Sequence, residues 1–192
     1  MDPLRLGFVL GTTPDKWAGA WREQDRGPLE LVPVTEAEQE PRLRDGSLDM
    51  CLVRLPVDRD GLHLVELYDE VQVVVVPRDH FATADTEVEL SDLAEEQLVL
   101  PHRSGWTPDS EQLAWPPMTE REAVEVVASG GGVALLPMSV ARLLHRKDVA
   151  SRPVTDLPPT RIALAWLVIR DDAQTQAMVG VVRGRTARSS RG

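Results

Sequence analysis

Thr35 to Pro56, TEAEQEPRLRDGSLDMCLVRLP, constrains the fold more than any other stretch of the chain. Thr35 followed three residues later by Glu38 has the form of a capping box, in which hydroxyl and carboxylate satisfy the orphan N–H groups of a helix start. Gly46 supplies the residue type that ends helices in a left-handed conformation. Met50 to Val53 is then a short apolar run of the kind that forms a buried strand. The same plan returns in TEREAVEVVASGGGVALLPMSV, with Thr119 and Glu122 as the box, Gly130 as the stop and Val133 to Leu136 as the strand. The two copies are offset by 119 − 35 = 84 residues. A chain built this way is expected to form two α/β halves with a cleft between them.

The remaining segments fit that frame. LRLGFVL at 4–10 predicts a first strand, stopped by Gly11-Thr12-Thr13-Pro14. Pro14 or Asp15 can open a helix carrying Trp17 and Trp21 one turn apart on a single face, a spacing expected of core anchors. LELVPV at 29–34 predicts a strand that Pro33 confines to an edge. Pro41 lies where it should kink the helix from Thr35 or delay its start. Strands are expected at 62–67 and, in the β-branched run VQVVVV, at 71–76. A short helix is expected at Ser91-Asp92-Leu93 and a strand at 98–100. Residues 102–118 hold three Pro, one Gly and two Trp and predict a loop. The turn Gly130-Gly131-Gly132 precedes a strand, whereas a phosphate loop precedes a helix. Beyond it the pattern predicts a helix from Pro137 to about 146, a strand through 149–153, a strand at 162–169 and a last helix over about 173–183.

Composition narrows the function. The 192 residues carry a net charge of −10, which argues against direct nucleic-acid binding, since phosphates demand a basic face. The last ten residues hold four Arg, so residues 1–182 carry 17 − 31 = −14. Residues 186–192 are expected to be a disordered basic tail. No apolar run reaches the ~20 residues of a membrane span, and the start lacks a basic segment followed by an apolar one. A cytoplasmic location and no membrane partner are therefore expected. Cys51 is the single cysteine, which leaves no disulfide and no thiolate metal cluster. The four His are scattered without metal-ligand spacing, and neither G-x-S-x-G nor a Walker motif occurs. No catalytic residue, metal or cofactor is expected.

The ordered set LRLGFV at 4–9, LRDGSLDMCLVRLP at 43–56, VVVVPRDH at 73–80, VELSDLAEEQLVL at 88–100 and VASGGGVALLP at 127–137 resembles the effector-binding domain of LysR-type transcriptional regulators. LAWL at 164–167 fits that family's closing strand. The resemblance implies two Rossmann-like lobes joined by two crossover strands, like a type 2 periplasmic binding protein. Lobe one would be residues 1–76 plus 157–185, and lobe two residues 77–156. The family's N-terminal helix-turn-helix is absent from the sequence, and residues 101–118 are shorter than the family's usual segment. The implied function is that of a sensor for a small organic anion, acting in transcriptional regulation without a DNA-binding domain of its own. A homodimer, or a heterodimer with a related regulator, is the implied assembly. The alternatives are an interaction partner that pairs with a full-length regulator, a solute-binding protein, or an enzyme on the same fold.

Positions matching the family's effector pocket, with their neighbours, form the candidate ligand-binding set: Gly11, Thr12, Thr13, Thr35, Arg54, Pro101, His102 and Thr119. Helix starts offer unpaired N–H groups and partial positive charge, and an Arg offers a planar fork that matches a carboxylate. Arg54 is expected to project its head into the solvent of the cleft. His102 is the one plausible acid–base group among them.

Overall fold

The computed structural model describes the backbone of residues 2–189 and the side chains as far as Gly184. The chain forms two compact units: one runs to Tyr68 and resumes at Arg161, and the other is Asp69–Thr160. These limits differ from the expected 76/77 and 156/157. The reason is strand pairing: β5 (Gln72–Pro77) bonds β6 (Ala134–Pro137) and β7 (Val149–Pro153), so it belongs to the second unit.

Unit 1 is built on a five-stranded sheet of order β2-β1-β3-β8-β4, from β1 (Leu4–Val9), β2 (Leu29–Val34), β3 (Met50–Arg54), β4 (Leu62–Glu70) and β8 (Thr160–Leu167). β1 runs parallel to both β2 and β3. Parallel neighbours need crossovers on the faces, supplied here by α1 (Asp15–Glu23) and α2 (Gln39–Arg44). The side-chain period of two then sorts the core. Leu4, Leu6, Met50, Leu52, Leu164 and Trp166 pack on one face with Trp17 and Trp21 of α1 and with Met178 and Val182 of α5 (Ala173–Ser189). Val9, Val34, Cys51, Val53, Ala163 and Ala165 pack on the other with Leu43 of α2. Covered on both faces, β3 is buried at all five positions. Both tryptophans are anchors of this core, as their spacing predicts. Pro33 lies on β2, the edge strand.

Unit 2 has β5 at the centre of the order β6-β5-β7, antiparallel to both neighbours. α3 (Glu120–Ala128) and α4 (Met138–Leu143) flank it. The two copies of the sequence plan therefore diverge. At α3 the capping box forms, with Thr119 and Glu122 each bonding the other's backbone N–H. At α2 it does not: the helix begins at Gln39, because Pro41 fits only within a first turn. Gly46 and Gly130 do adopt the positive φ expected of helix stops, at 76° and 84°. Residues 98–100 do not become a strand. Leu98 makes a single bridge to Val133, and its own N–H goes to the Gln112 side chain. Residues 102–118 contain neither helix nor strand. α4 ends at Leu143, short of 146. α5 continues past 183 to Ser189, into the expected tail, and residues 190–192 of that tail lie outside the described ones.

A buried carboxylate fastens unit 1 at the end of the sheet where β1 begins. Asp49, 5% exposed, accepts from the Arg5 backbone and guanidinium at 2.8–3.1 Å and from Arg170. Burial pushes this carboxyl up, but the hydrogen bonds and charge of Arg5, with the charge of Arg170, hold it below the usual carboxylate range. A depressed folded pKa means stability that is present above the unfolded value of about 3.9 and is lost as pH falls through the folded value. Asp49→Asn should cost about 1.5–3 kcal/mol at pH 7, as for hydrogen bonds to charged groups. In thermal melts its deficit against the native chain should shrink steadily below pH 4.

Two neighbouring glycines give a second test. A Cβ on Gly132, at φ 150°, would lie 2.2 Å from the Gln97 carbonyl oxygen, whereas a Cβ on Gly130 meets open space. Gly130→Ala should cost about 1–2 kcal/mol, the ordinary left-handed penalty. Gly132→Ala must also move backbone, so its denaturation midpoint should fall clearly further.

Candidate functional site

Because β1, β2 and β3 are parallel, the turns after them share one edge of the unit 1 sheet. Leu10 to Pro14 follows β1, Thr35 to Glu38 follows β2, and Arg54 ends β3. Among the expected residues the structure thus brings Gly11, Thr12, Thr13, Thr35 and Arg54 to one place. It does so through a contact that no local pattern in the sequence signals. Arg54 Nη1 donates to Glu36 Oε1 at 2.7 Å and Nη2 donates to the Leu10 carbonyl at 2.9 Å. The Arg54 N–H and C=O close a two-way bond with the Gln39 amide, at 2.9 and 3.1 Å. One residue therefore fastens the β1 turn, the β2 turn and α2 to the end of β3.

That geometry corrects the expectation for Arg54. Its side chain is 1% exposed, so its head does not project into solvent, and it serves as the inner partner of an ion pair with Glu36, which is 28% exposed. Burial follows from position: a strand covered on both faces buries its last side chain, and the charge is tolerable only when paired. The threonines are similarly engaged. Thr12, 6% exposed, donates its hydroxyl to the Val9 carbonyl at 2.7 Å. Thr35 donates both N–H and hydroxyl to Glu38 Oε2, at 2.9 and 2.8 Å. Those two bonds hold the Glu38 carboxyl below its usual range. Thr35 is therefore not the N-cap of α2, which follows Glu38. Thr13 is exposed, Gly11 turns the chain at φ 88°, and Pro14 opens α1 without a side-chain cap.

In unit 2 the remaining candidates are Thr119, the N-cap of α3, and Pro101 and His102 in the segment before it. Thr119 is committed to its capping box, giving both N–H and hydroxyl to Glu122. Pro101 is exposed and His102 half-buried. His102 Nδ1 lies 2.7 Å from Ser104 Oγ and accepts the Ser104 N–H at 3.3 Å. An accepting Nδ1 leaves the ring proton on Nε2. Burial lowers the imidazole pKa, so at neutral pH the ring is an uncharged donor through Nε2. Glu120 raises, and burial more strongly lowers, the pKa of the neighbouring Arg103.

Cys51 is fully buried and its thiol is pushed up to about 12, so it is no nucleophile. Among the described residues no three His, Cys, Asp or Glu gather as metal ligands, and no helix is long and apolar enough to cross a membrane.

The family model for the LysR substrate binding domain matches residues 22–187. The chain belongs to the LysR substrate-binding domain family. It is 26% identical over 176 residues to the Hca operon transcriptional activator HcaR of Escherichia coli, covering 83% of this chain and 58% of that protein. A probable hydrogen peroxide-inducible genes activator of Mycobacterium leprae is 28% identical over 187 residues, 86% of this chain and 60% of that one. The LysR chain thus spans somewhat under two thirds of these regulators. Among solved structures, the BenM effector binding domain with its effector benzoate superposes with a TM-score of 0.76 at 21% identity, covering 98% of this chain and 93% of that one. The reduced OxyR regulatory domain of Pseudomonas aeruginosa gives 0.73 at 22% identity, covering 94% of each. These likenesses fix the fold as that of type 2 periplasmic binding proteins. The family places the chain among the effector-binding domains of LysR-type regulators.

Removing the Arg54 head should therefore be felt first as lost stability. Arg54→Ala leaves Glu36 and the Leu10 carbonyl without their donor. Breaking a buried pair costs about 3–5 kcal/mol, and the partial exposure of Glu36 puts this case near the lower figure. Arg54→Lys should recover less than half, because one ammonium cannot span both acceptors. Urea denaturation of the three proteins reads both values. Coincident midpoints would show that the pair holds nothing.

Proposed function

We propose that this LysR domain senses a small organic acid, which binds at the edge of unit 1 where β1, β2 and β3 end. The observation that carries this is the convergence of the Leu10–Pro14 turn, the Thr35–Glu38 turn and Arg54 at the carboxyl ends of three parallel strands. Open parallel sheets take ligands at that edge. α1 begins there with no side-chain cap, so its partial positive charge is open to an anion. Gly11 lets the backbone come close, and Thr13 has an exposed hydroxyl beside the helix start. Arg54 acts from behind the site by holding the two turns in place. Support also comes from the BenM domain, whose effector is benzoate, an organic acid.

Thermal shift against a panel of small mono- and dicarboxylates tests this directly. A ligand at 100 times its Kd stabilises by about 2.7 kcal/mol, several degrees in a domain of this size. Gly11→Val should abolish the shift given by any acid that binds the native chain. A panel that leaves the melting temperature unmoved at millimolar concentrations would exclude small organic acids as the effector.

A further inference from the structure

We propose that Ser104 is an activated nucleophile, with His102 as its general base, that attacks activated acyl or phosphoryl compounds. This chemistry is independent of the effector reading. Ser104 is exposed and His102 half-buried, two positions apart in the segment before α3. A turn brings them together. The Gly105 N–H bonds the His102 carbonyl at 2.9 Å, and Gly105 takes a φ of 76°, which its lack of a Cβ permits. Trp106 anchors the turn by packing against the core cluster that holds Val74, Leu98 and Leu135.

The direction of the bonds sets the chemistry. Ser104 Oγ accepts the Trp106 N–H at 3.2 Å and lies 2.7 Å from His102 Nδ1. Nδ1 also accepts the Ser104 N–H at 3.3 Å, so it carries no proton of its own. The hydrogen between Oγ and Nδ1 is therefore that of the hydroxyl. This is a nucleophile and its base within hydrogen-bond reach. Burial lowers the imidazole pKa, which keeps Nδ1 free to take a proton at neutral pH. The Trp106 N–H bond strengthens as Oγ gains negative charge. The exposed Ser129 is a contrast, because it gives its hydroxyl to the Val126 carbonyl at 2.7 Å, which cannot take the proton. In the step itself Oγ bonds to the acyl carbon or the phosphorus. The bond to the leaving group breaks, the leaving group departs with the electron pair, and the Oγ proton passes to Nδ1.

Peptide mass spectrometry after exposure to 4-nitrophenyl acetate, and separately to an alkyl fluorophosphonate, reads the step. Ser104 should gain the acyl or phosphonyl group much faster than Ser129, which serves as the internal standard in the same chain. Ser104→Ala should remove that adduct. His102→Gln keeps an acceptor for the hydroxyl but cannot take its proton. It should slow labelling of Ser104 at least about a hundredfold, the low end of general-base catalysis. Melting curves run alongside. An unlabelled Ser104, labelling no faster than at Ser129, or an unchanged rate in a folded His102→Gln overturns the proposal. Should His102→Gln unfold, the ratio of Ser104 to Ser129 in the native chain decides by itself.

Discussion

The ion pair between Arg54 and Glu36 organises the carboxyl edge of the unit 1 sheet. Parallel strands place their following turns at one edge, but nothing in the sheet itself holds those turns to one another. A guanidinium can, because it donates along several directions from one rigid plane. Arg54 reaches Leu10 after β1 and Glu36 after β2, while its backbone is paired with Gln39 of α2. Burial at 1% exposure removes competing water from the guanidinium. The same burial makes the arrangement demanding, since an unpaired charge there would be costly. The edge is therefore well defined in shape and fixed in hydrogen-bond polarity.

Unit 1 carries a charge cluster at the opposite end of its sheet as well, where Arg5 and Arg170 meet on Asp49. The two clusters do different work. Asp49 joins the first strand to the segment before α5, residues far apart in sequence, and is a device of folding. Arg54 joins the turns that follow β1 and β2. The distinction rests on position relative to the parallel strands, because the amino ends of such strands are rarely where ligands bind and the carboxyl ends commonly are.

Much of this is legible in the amino-acid sequence. The apolar runs at 4–9, 50–53 and 72–76 form strands of the short length their turn-bounded stretches allow, the last of them strongly β-branched. Gly46 and Gly130 stop helices as their residue type requires. Trp17 and Trp21, one turn apart beside small residues, go into the core. The ordered motifs are enough to point to the LysR family. Where local signals compete, the sequence misleads. Thr35 and Glu38 carry the letters of a capping box, yet Pro41 sets the helix start at Gln39, and their bonds close a turn instead. Residues 98–100 look like a strand, but their bonds go to Gln112 and Val133.

The sequence by itself determined most of the strands and helices and the family, because those depend on periodicity and residue type along short stretches. The direction of the bonds at the carboxyl edge was decided only by tertiary structure. Arg54 is separated from Glu36 by 18 positions along the chain and from Leu10 by 44. No local pattern records that the guanidinium faces inward to a carboxylate and a carbonyl. Whether a side chain is offered to a ligand or already taken depends on which distant groups the fold brings within about 3 Å of it. That is a property of the folded sheet and its turns, set when β1, β2 and β3 align.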